Sequence, residues 1–135
     1  MSATRDILCR TRGLHMKAVI IDDEQLCLDM DVEIIKATKR IESLKAFLDV
    51  NEFIQYIMTE QVDIAFLDIL MDDADGISLA MEVKRIQPSC KIVFISSTKE
   101  FAIEAFQIYA SGYLLKPITP DEVDALLDNI FGMEQ

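Results

Sequence analysis

The feature that most constrains the fold is the alternation of short, continuously apolar segments with segments of helical periodicity. The apolar segments predict five strands, at residues 17–22, 41–48, 62–68, 91–96 and 112–116. The first lacks any alternation of polar and apolar residues, which is typical of a strand covered on both faces. The periodic segments predict five helices, at residues 24–39, 50–59, 77–87, 100–110 and 120–130. Strands and helices that alternate across short loops predict an α/β fold, with a parallel sheet and helices on both faces.

Side-chain patterns within the helical segments predict their ends and their buried faces. The first helix carries one apolar stripe at helical spacing, formed by Leu26, Met30, Ile34 and Ala37. The second helix begins after Asp49, which can serve as its N-cap. Its predicted inward side chains are Phe53, Ile54, Ile57 and Met58. Pro88 ends the third helix, and the last helix begins at Pro120 with Thr119 as its cap.

Composition limits the class of protein. A length of 135 residues, with 51% hydrophobic and 27% charged residues, fits one globular domain. The net charge of −11 argues against direct nucleic-acid binding, which requires a basic face. No apolar run approaches the roughly 20 residues of a membrane helix, so no membrane association is expected. The three cysteines are widely spaced and form no C-x-x-C pair, so we expect no disulfide or zinc site and a reducing, cytoplasmic location.

The first 15 residues differ from the rest of the chain. They lack periodicity and carry Arg5, Arg10 and Arg12 against one acid, Asp6. They contain no apolar segment of secretory length, so a signal peptide is not expected. We interpret residues 1–15 as a flexible N-terminal tail or a tag remnant, and residues 16–135 as one domain that begins at Met16.

Charged and hydroxyl side chains follow the predicted strands at the points where they end. Asp22 and Asp23 follow the first strand, Asp68 the third, Ser96 the fourth and Lys116 the fifth. Carboxyl ends of parallel strands meet at one edge of a sheet, so these groups are expected to converge. Clustered carboxylates repel one another unless a cation is present, and an oxygen-only ligand set favours Mg²⁺. A metal ion, a lysine and a hydroxyl together suit a phosphoryl group, with the Asp68 carboxylate as its nucleophile.

Four motifs, each at the end of a predicted strand, carry a resemblance to a known family. They are the acidic pair in VIIDDEQ, the acid and glycine of LDILMDDADG, the hydroxyl of VFISS, and the aromatic, lysine and proline of GYLLKP. From Met16 to about Phe131 the chain resembles the receiver domain of two-component response regulators. The stretch FISSTKEFAIEAFQIYASGYLLKPI is further similar to receivers that are joined, in full-length regulators, to LytTR-type DNA-binding domains.

The resemblance implies a fold, a reaction and a metal site. The implied fold is the flavodoxin-like, doubly wound (βα)5 fold with strand order 2-1-3-4-5. Asp68 would accept a phosphoryl group from a sensor histidine kinase or a phosphotransfer protein. The carboxylates of Asp23 and Asp68 and the backbone carbonyl of Leu70 would hold Mg²⁺, with Asp22 acting largely through water. Such a domain is not a turnover enzyme, because it takes part only in its own phosphorylation and autodephosphorylation.

The resemblance also implies switch residues. Ser96 and Lys116 would bind the phosphoryl oxygens as catalytic groups, and Ser96 would swing inward with Tyr113 as the rotating aromatic. A cis peptide bond would precede Pro117, which an X-Pro linkage allows at small cost. Gly76 would relax the backbone turn after the active-site loop.

Two departures from the family pattern leave questions open. Ser96 stands where threonine is more usual, so it keeps the hydroxyl but lacks the methyl group that restrains rotation. Asp72, followed by Asp73, stands where the family commonly has proline, so the loop lacks proline's fixed φ. These two acids are either solvated loop residues or groups that strengthen the attraction of the site for a metal ion.

The helix predicted at residues 100–110 is more apolar than packing on a sheet requires. Its only polar positions are Glu100, Glu104 and Gln107. We therefore predict that its outer part, with the last strand and helix, forms a partner or homodimer surface. Phosphorylation would switch this surface and so control an output such as transcription.

Two alternative functions remain at this point. A phosphatase of the haloacid dehalogenase type also uses an aspartate nucleophile with Mg²⁺ and lysine. That family requires a second aspartate two positions after the nucleophile, where this chain has Leu70. The other alternative is a receiver-like interaction module that does not accept phosphate.

Overall fold

The computed structural model describes residues 16–72 and 74–132, and within them strands and helices alternate along the chain. The elements are β1 (Met16–Ile21), α1 (Gln25–Ala37), β2 (Ile41–Phe47), α2 (Val50–Thr59), β3 (Ile64–Asp68), α3 (Gly76–Ile86), β4 (Lys91–Ser96), α4 (Ala102–Gln107), β5 (Gly112–Leu115) and α5 (Pro120–Phe131). All neighbouring strands are parallel, and their order is β2-β1-β3-β4-β5. The predicted fold class and strand order are confirmed. The interpretation of residues 1–15 as a tail lies outside the described residues.

Alternate residues of the central strands supply two separate cores, one on each face of the sheet. Ile64 and Phe66 of β3 pack with the buried side chains of α1 and α5. Ala65 and Leu67 of the same strand pack on the opposite face, with those of α2 and α3. Every residue of β3 is buried, which explains why its sequence is continuously apolar up to Asp68.

Helix α1 does not bury the apolar stripe predicted for it. Its buried residues are Leu28, Asp31 and Ile35, whereas Leu26 is 73% exposed and Met30 is 53% exposed. The face that is actually buried contains the carboxylate of Asp31. The sequence pattern therefore indicated a neighbouring stripe, which contains no acid, as the apolar face of the helix. The prediction for this helix face was wrong for that reason.

Helix α2 confirms the predicted cap and only part of the predicted face. The Asp49 carboxylate accepts a hydrogen bond of 2.9 Å from the Glu52 backbone N–H. Phe53 and Ile57 are buried in the core, but Met58, which was predicted to face inward, is 65% exposed. The apolar face of α2 is therefore one residue narrower than the sequence indicated.

Helix α4 is shorter than the predicted helix at residues 100–110. It ends at Gln107, and Tyr109 has a φ of 61°, in the left-handed region that a continuing helix excludes. Phe101 at its N-terminus makes no side-chain capping bond, and Ala105 is its one buried residue. Helix α5, in contrast, begins with Pro120 after a complete capping box between Thr119 and Glu122.

The side chain of Gln87 joins the ends of α2 and α3 at the edge of the sheet opposite the carboxyl ends of the strands. Its amide nitrogen donates to the backbone oxygens of Ile57, at 2.7 Å, and Glu60, at 2.6 Å. Its amide oxygen accepts from the backbone N–H of Val62 at 3.0 Å. One side chain thus satisfies the end of α2 and the chain that leads into β3.

Among the described residues, no helix combines the length and the apolar character that crossing a membrane would require.

Gly76 begins α3 where the helix lies against the end of β3. A Cβ atom at this position would lie 2.3 Å from the backbone oxygen of Asp68 and 2.6 Å from the Cα of Ile69. Glycine is therefore needed here for close packing of one backbone on another, and not for the relaxed turn that the resemblance implied.

We expect Gly76→Ala to lower the free energy of unfolding by about 2 to 3 kcal/mol, because the added methyl group meets backbone that cannot move aside. The matched control is Gly112→Ala, whose Cβ would meet the Leu126 side chain, which can change rotamer. This control should cost about 1 kcal/mol or less. Urea unfolding of both variants measures the difference, and equal losses would contradict the explanation.

Candidate functional site

A cavity of about 360 Å³ opens where β1, β3 and β5 end. The sheet order places the end of β1 beside the end of β3, so residues that directly follow these strands share its walls. The lining residues are Asp22, Asp23, Glu24, Cys27, Asp68, Leu70, Asp72, Ser97 and Lys116. Most of the polar groups in this set are carboxylates, which gives the cavity a strongly negative lining.

Three of these acids lie close enough to share one cation. One carboxylate oxygen from each of Asp22, Asp23 and Asp68 lies within 4.8 Å of the other two. Asp22 and Asp68 are buried, and Asp23 is partly exposed. The predicted acids are thus brought together at the expected edge of the sheet.

The ammonium group of Lys116 lies among the same acids. Its Nζ is 3.1 Å from Asp22 Oδ2 and 3.7 Å from Asp68 Oδ2. Burial alone lowers the pKa of Lys116, but the charge of Asp68 and the hydrogen bond and charge of Asp22 outweigh it and raise the pKa above its ordinary value. Lys116 is therefore firmly charged and offsets part of the negative charge of the site.

One lysine does not neutralise the acids. Burial raises the pKa of the Asp68 carboxyl above its ordinary value, the nearby Asp22 charge raises it further, and Lys116 offsets only part of this effect. A raised pKa means that burial and the Asp22 charge destabilise the carboxylate form of Asp68. A cation bound between the acids would relieve this destabilisation.

The donor set fits a hard divalent cation. The converging ligand atoms are carboxylate oxygens from three aspartates, and Leu70, whose backbone carbonyl was predicted as a further ligand, lines the same cavity. Mg²⁺ prefers such oxygen ligands, and it commonly takes one or two carboxylates while it keeps several waters. The residues present therefore suit Mg²⁺.

The carboxylate of Asp23 is held by the loop that follows β3. Its Oδ2 accepts a hydrogen bond of 2.6 Å from the backbone N–H of Asp72, which lies 49 residues away in the sequence. Asp22 is held in a similar way, since its Oδ1 accepts from the backbone N–H of Glu24 at 3.0 Å. Backbone donors thus orient the carboxylates of both Asp22 and Asp23.

The backbone of Thr98 connects the two predicted switch residues. The Ser96 hydroxyl is fully buried and accepts a hydrogen bond of 3.2 Å from the Thr98 N–H. The Tyr113 hydroxyl donates to the Thr98 carbonyl oxygen at 2.5 Å, and its ring lies 6.5 Å from that of Phe94. Both side chains therefore contact the same residue of the β4–α4 loop.

The end of β5 is fixed beside the end of β4. The peptide bond between Lys116 and Pro117 is cis. The backbone N–H of Lys116 donates to the carbonyl oxygen of Ser96 at 2.9 Å. This hydrogen bond holds Lys116 at the sheet edge, from which its side chain reaches Asp22 and Asp68.

Several residues of the site were not found by sequence reasoning. Ser97, and not the predicted Ser96, lines the cavity, because the Ser96 hydroxyl is turned towards Thr98. Glu24 and Cys27 line it from the start of α1, and Cys27 Sγ donates to Glu24 Oε1 at 3.0 Å. Their spacing of three residues, directly after the acidic pair, was the signal available in the sequence. Asp73 lies outside the described residues.

Asp31 is a further acid near the site that the sequence did not reveal. It is 6% exposed, and its carboxylate has neither a hydrogen bond nor a salt bridge within residues 16–72 and 74–132. It borders a small groove together with Lys116 and Pro117. Burial raises the pKa of Asp31 to about 6, with a smaller lowering by Lys116 and a smaller rise from Asp22.

Known proteins share both the sequence pattern and the fold. The family model described as "Response regulator receiver domain" matches residues 18–128. Transcriptional regulatory protein YpdB of Escherichia coli is 32% identical over 115 residues, which are 85% of this chain and 47% of that protein. Sensory transduction protein LytR of Staphylococcus epidermidis is 28% identical over 115 residues, covering 85% of this chain and 46% of that protein. The chain thus spans about half the length of these relatives.

A solved structure agrees with the same grouping. The response regulatory domain of protein mrkE from Klebsiella pneumoniae is 31% identical, with a TM-score of 0.76 over 85% of this chain and 94% of that chain. A parallel (βα)5 domain with an acidic cluster and a lysine at its carboxyl edge defines a receiver-type α/β domain. The chain belongs to the family of response regulator receiver domains of two-component systems.

We expect Asp31→Asn to stabilise the domain at neutral pH. In the wild type the pKa of Asp31 is higher in the folded than in the unfolded state, so stability is lost as the pH rises from about 4 through about 6. Removing the carboxylate should raise the free energy of unfolding by about 1 to 3 kcal/mol at pH above 7, and by less as the pH falls towards 4. Urea unfolding across this range, without metal, gives the measurement.

Asp29→Asn is the matched control, because Asp29 is exposed on the same helix. It should leave the pH dependence of stability unchanged. A constant difference between Asp31→Asn and the wild type at every pH would contradict the assignment.

Proposed function

We propose that this domain is a phosphorylation switch in which Asp68 accepts a phosphoryl group from a histidine kinase or a phosphotransfer protein. The observation that carries the proposal is the meeting of Asp22, Asp23 and Lys116 around the Asp68 carboxylate. Asp68 ends a fully buried central strand, so its position is set by the core and not by a mobile loop. A nucleophile held in this way is oriented before its substrate arrives.

The transfer would proceed by attack of an Asp68 carboxylate oxygen on the phosphorus of a phosphohistidine. The new P–O bond forms as the P–N bond breaks, and the leaving imidazole nitrogen keeps the electron pair and takes a proton from solvent. Lys116 stays protonated and binds a phosphoryl oxygen as a point charge. Mg²⁺, held by Asp23, Asp68 and the Leu70 carbonyl directly and by Asp22 through water, would neutralise charge on the phosphoryl oxygens.

Reversal of the switch needs no second active site. Water would attack the phosphorus of the aspartyl phosphate, and cleavage of the bond to Asp68 would release inorganic phosphate. The domain would thus act on its own phosphoryl group only. The side chain of Leu70, which is 53% exposed at the cavity, is apolar and cannot orient the attacking water by hydrogen bonding.

The phosphoryl group would be sensed through Ser96. Its hydroxyl would turn from the Thr98 amide towards a phosphoryl oxygen, and this would free the β4–α4 loop to move. Tyr113, whose hydroxyl donates to the same residue, would follow. The change is a shift between two arrangements of one loop, with a phosphoryl charge near −2 favouring the second.

The relatives suggest the output. YpdB and LytR are a transcriptional regulator and a sensory transduction protein by name, and this chain matches about half of each. We propose that the receiver controls an output such as transcription, in a regulator of LytTR type located in the cytoplasm. DNA contact would fall to another part of such a regulator, since the receiver itself is strongly acidic.

The Asp68 assignment is tested by intact-mass spectrometry after incubation with Mg²⁺ and acetyl phosphate. The wild type should gain the mass of one phosphoryl group, and Asp68→Ala should gain none. Asp29→Asn, which removes an exposed carboxylate from α1, is the matched control and should be phosphorylated like the wild type. Chelation of Mg²⁺ should abolish the adduct in the wild type and in Asp29→Asn.

An adduct that persists in Asp68→Ala would refute the assignment. Absence of any adduct in the wild type would instead favour an interaction module that does not accept phosphate.

We further propose that the outer face of α4, together with β5 and α5, binds a partner or a second copy of the domain. Ile103 is 70% exposed, Phe106 80% and Tyr109 82%, so the apolar excess noted in the sequence lies in solvent. Exposed apolar side chains clustered on a short helix and the turn that follows it are typical of an interaction surface. The neighbouring β4–α4 loop contains Thr98, which would transmit the change at Ser96 and Tyr113 to this surface.

Phe106→Ser should weaken dimerisation of the beryllofluoride-treated domain by about tenfold or more, because it removes an aromatic anchor from the surface. Met58→Ser is the matched control, since Met58 is similarly exposed on α2, and it should have no effect. Sedimentation velocity over a concentration series measures both. A wild-type domain that stays monomeric at high concentration after this treatment would rule out pairing through α4.

A further inference from the structure

The loop between β3 and α3 presents one backbone amide to the acidic cluster. The N–H of Asp72 donates to Asp23 Oδ2 at 2.6 Å, slightly shorter than is usual for an N–H group and a carboxylate oxygen. The loop that carries it is closed at its base by the Leu70–Asp75 bridge and by the bond from Gly76 N–H to the Ile69 carbonyl oxygen, 2.9 Å. The amide is therefore held in place by the loop and does not depend on the Asp72 side chain.

The carboxylate of Asp72, unlike its backbone amide, makes no hydrogen bond with the acidic cluster. The residue is exposed at the rim of the cavity, and its side chain has no partner within residues 16–72 and 74–132. An exposed, unanchored carboxylate adds little to the binding of a cation beyond a screened charge. The N–H group, in contrast, contacts one of the three clustered acids directly.

The hydrogen bond acts on the acid of the cluster that most needs orientation. Asp23 is partly exposed, whereas Asp22 and Asp68 are buried. With Oδ2 bound to the amide, rotation of the Asp23 carboxylate is restricted. A donor that orients a metal-binding carboxylate in this way raises the affinity of the site, because less rotational freedom is lost when the metal ion binds.

We propose that the backbone N–H of Asp72 is a positioning group for the cation site, which orients Asp23 and raises the affinity for Mg²⁺. The inference rests on the cation site of the proposed function. Asp72 stands where proline is common in the family. Proline has no N–H to donate, so the hydrogen bond to Asp23 requires a residue other than proline at this position. The positioning role also answers the question left open for Asp72, whose contribution comes from its backbone and not from its charge.

The first test compares variants that separate the amide from the carboxylate. Asp72→Ala and Asp72→Asn keep the N–H, and Asp72→Pro removes it together with the side-chain charge. We expect Asp72→Pro to bind Mg²⁺ about tenfold or more weakly than Asp72→Ala, and both Asp72→Ala and Asp72→Asn to stay within about threefold of the wild type. Isothermal titration calorimetry gives the dissociation constants, and urea unfolding in EDTA shows whether each variant is folded.

A second measurement does not depend on the folding of the proline variant. Hydrogen exchange followed by NMR should show the Asp72 amide protected in the wild type, although the residue is exposed, and unprotected in Asp23→Ala. Equal Mg²⁺ affinity of folded Asp72→Pro and Asp72→Ala, or an Asp72 amide that exchanges equally fast in the wild type and in Asp23→Ala, would overturn the positioning role and leave the phosphorylation of Asp68 untouched. A wild type that binds no Mg²⁺ would overturn the cation site as well.

Discussion

The functional edge of this domain depends on the attraction between the Lys116 ammonium and the buried acids of two other strands. The sheet order brings Asp22 and Asp68 side by side, and two buried carboxylates at this distance destabilise each other. The salt bridges from Lys116, at 3.1 and 3.7 Å, connect β5 to β1 and β3 and lower that repulsion. The compensation is incomplete, so the surroundings still destabilise the Asp68 carboxylate, and a cation bound between the acids would relieve this.

The central strands β3 and β4 were predictable because burial on both faces leaves a continuously apolar sequence. Every residue from Ile64 to Leu67 is inaccessible to solvent, and a polar side chain there would be buried without water to hydrate it. The helices were less predictable, since each needs only one apolar face and tolerates exceptions within it. Asp31 is such an exception on α1, where it concealed the true face. Helix α4 ends at Gln107, and the left-handed conformation of Tyr109 excludes the longer helix that the apolar pattern predicted.

For the site, too, one part could be predicted from the sequence and another could not. Residues fixed by strand ends, such as Asp22, Asp68 and Lys116, could be placed together from the sequence because parallel strands share an edge. The orientation of the side chains in the site could not be predicted, because it depends on hydrogen bonds that form only once the loops have folded. The direction of the Ser96 hydroxyl and the bond from the Asp72 amide to Asp23 are of this kind.

The hydrogen bonds of the Gln87 side chain affect how firmly the different helices are attached to the domain. One side chain joins the end of α2, the end of α3 and the chain entering β3, so displacing any of these segments would break at least one of its hydrogen bonds. Helix α4 has no comparable anchor among the described residues and buries only Ala105. Helix α4 is thus attached to the rest of the domain by fewer buried contacts than α2 and α3 are. Because α4 buries so little, we expect local opening of α4 to cost less free energy than opening of α2 or α3.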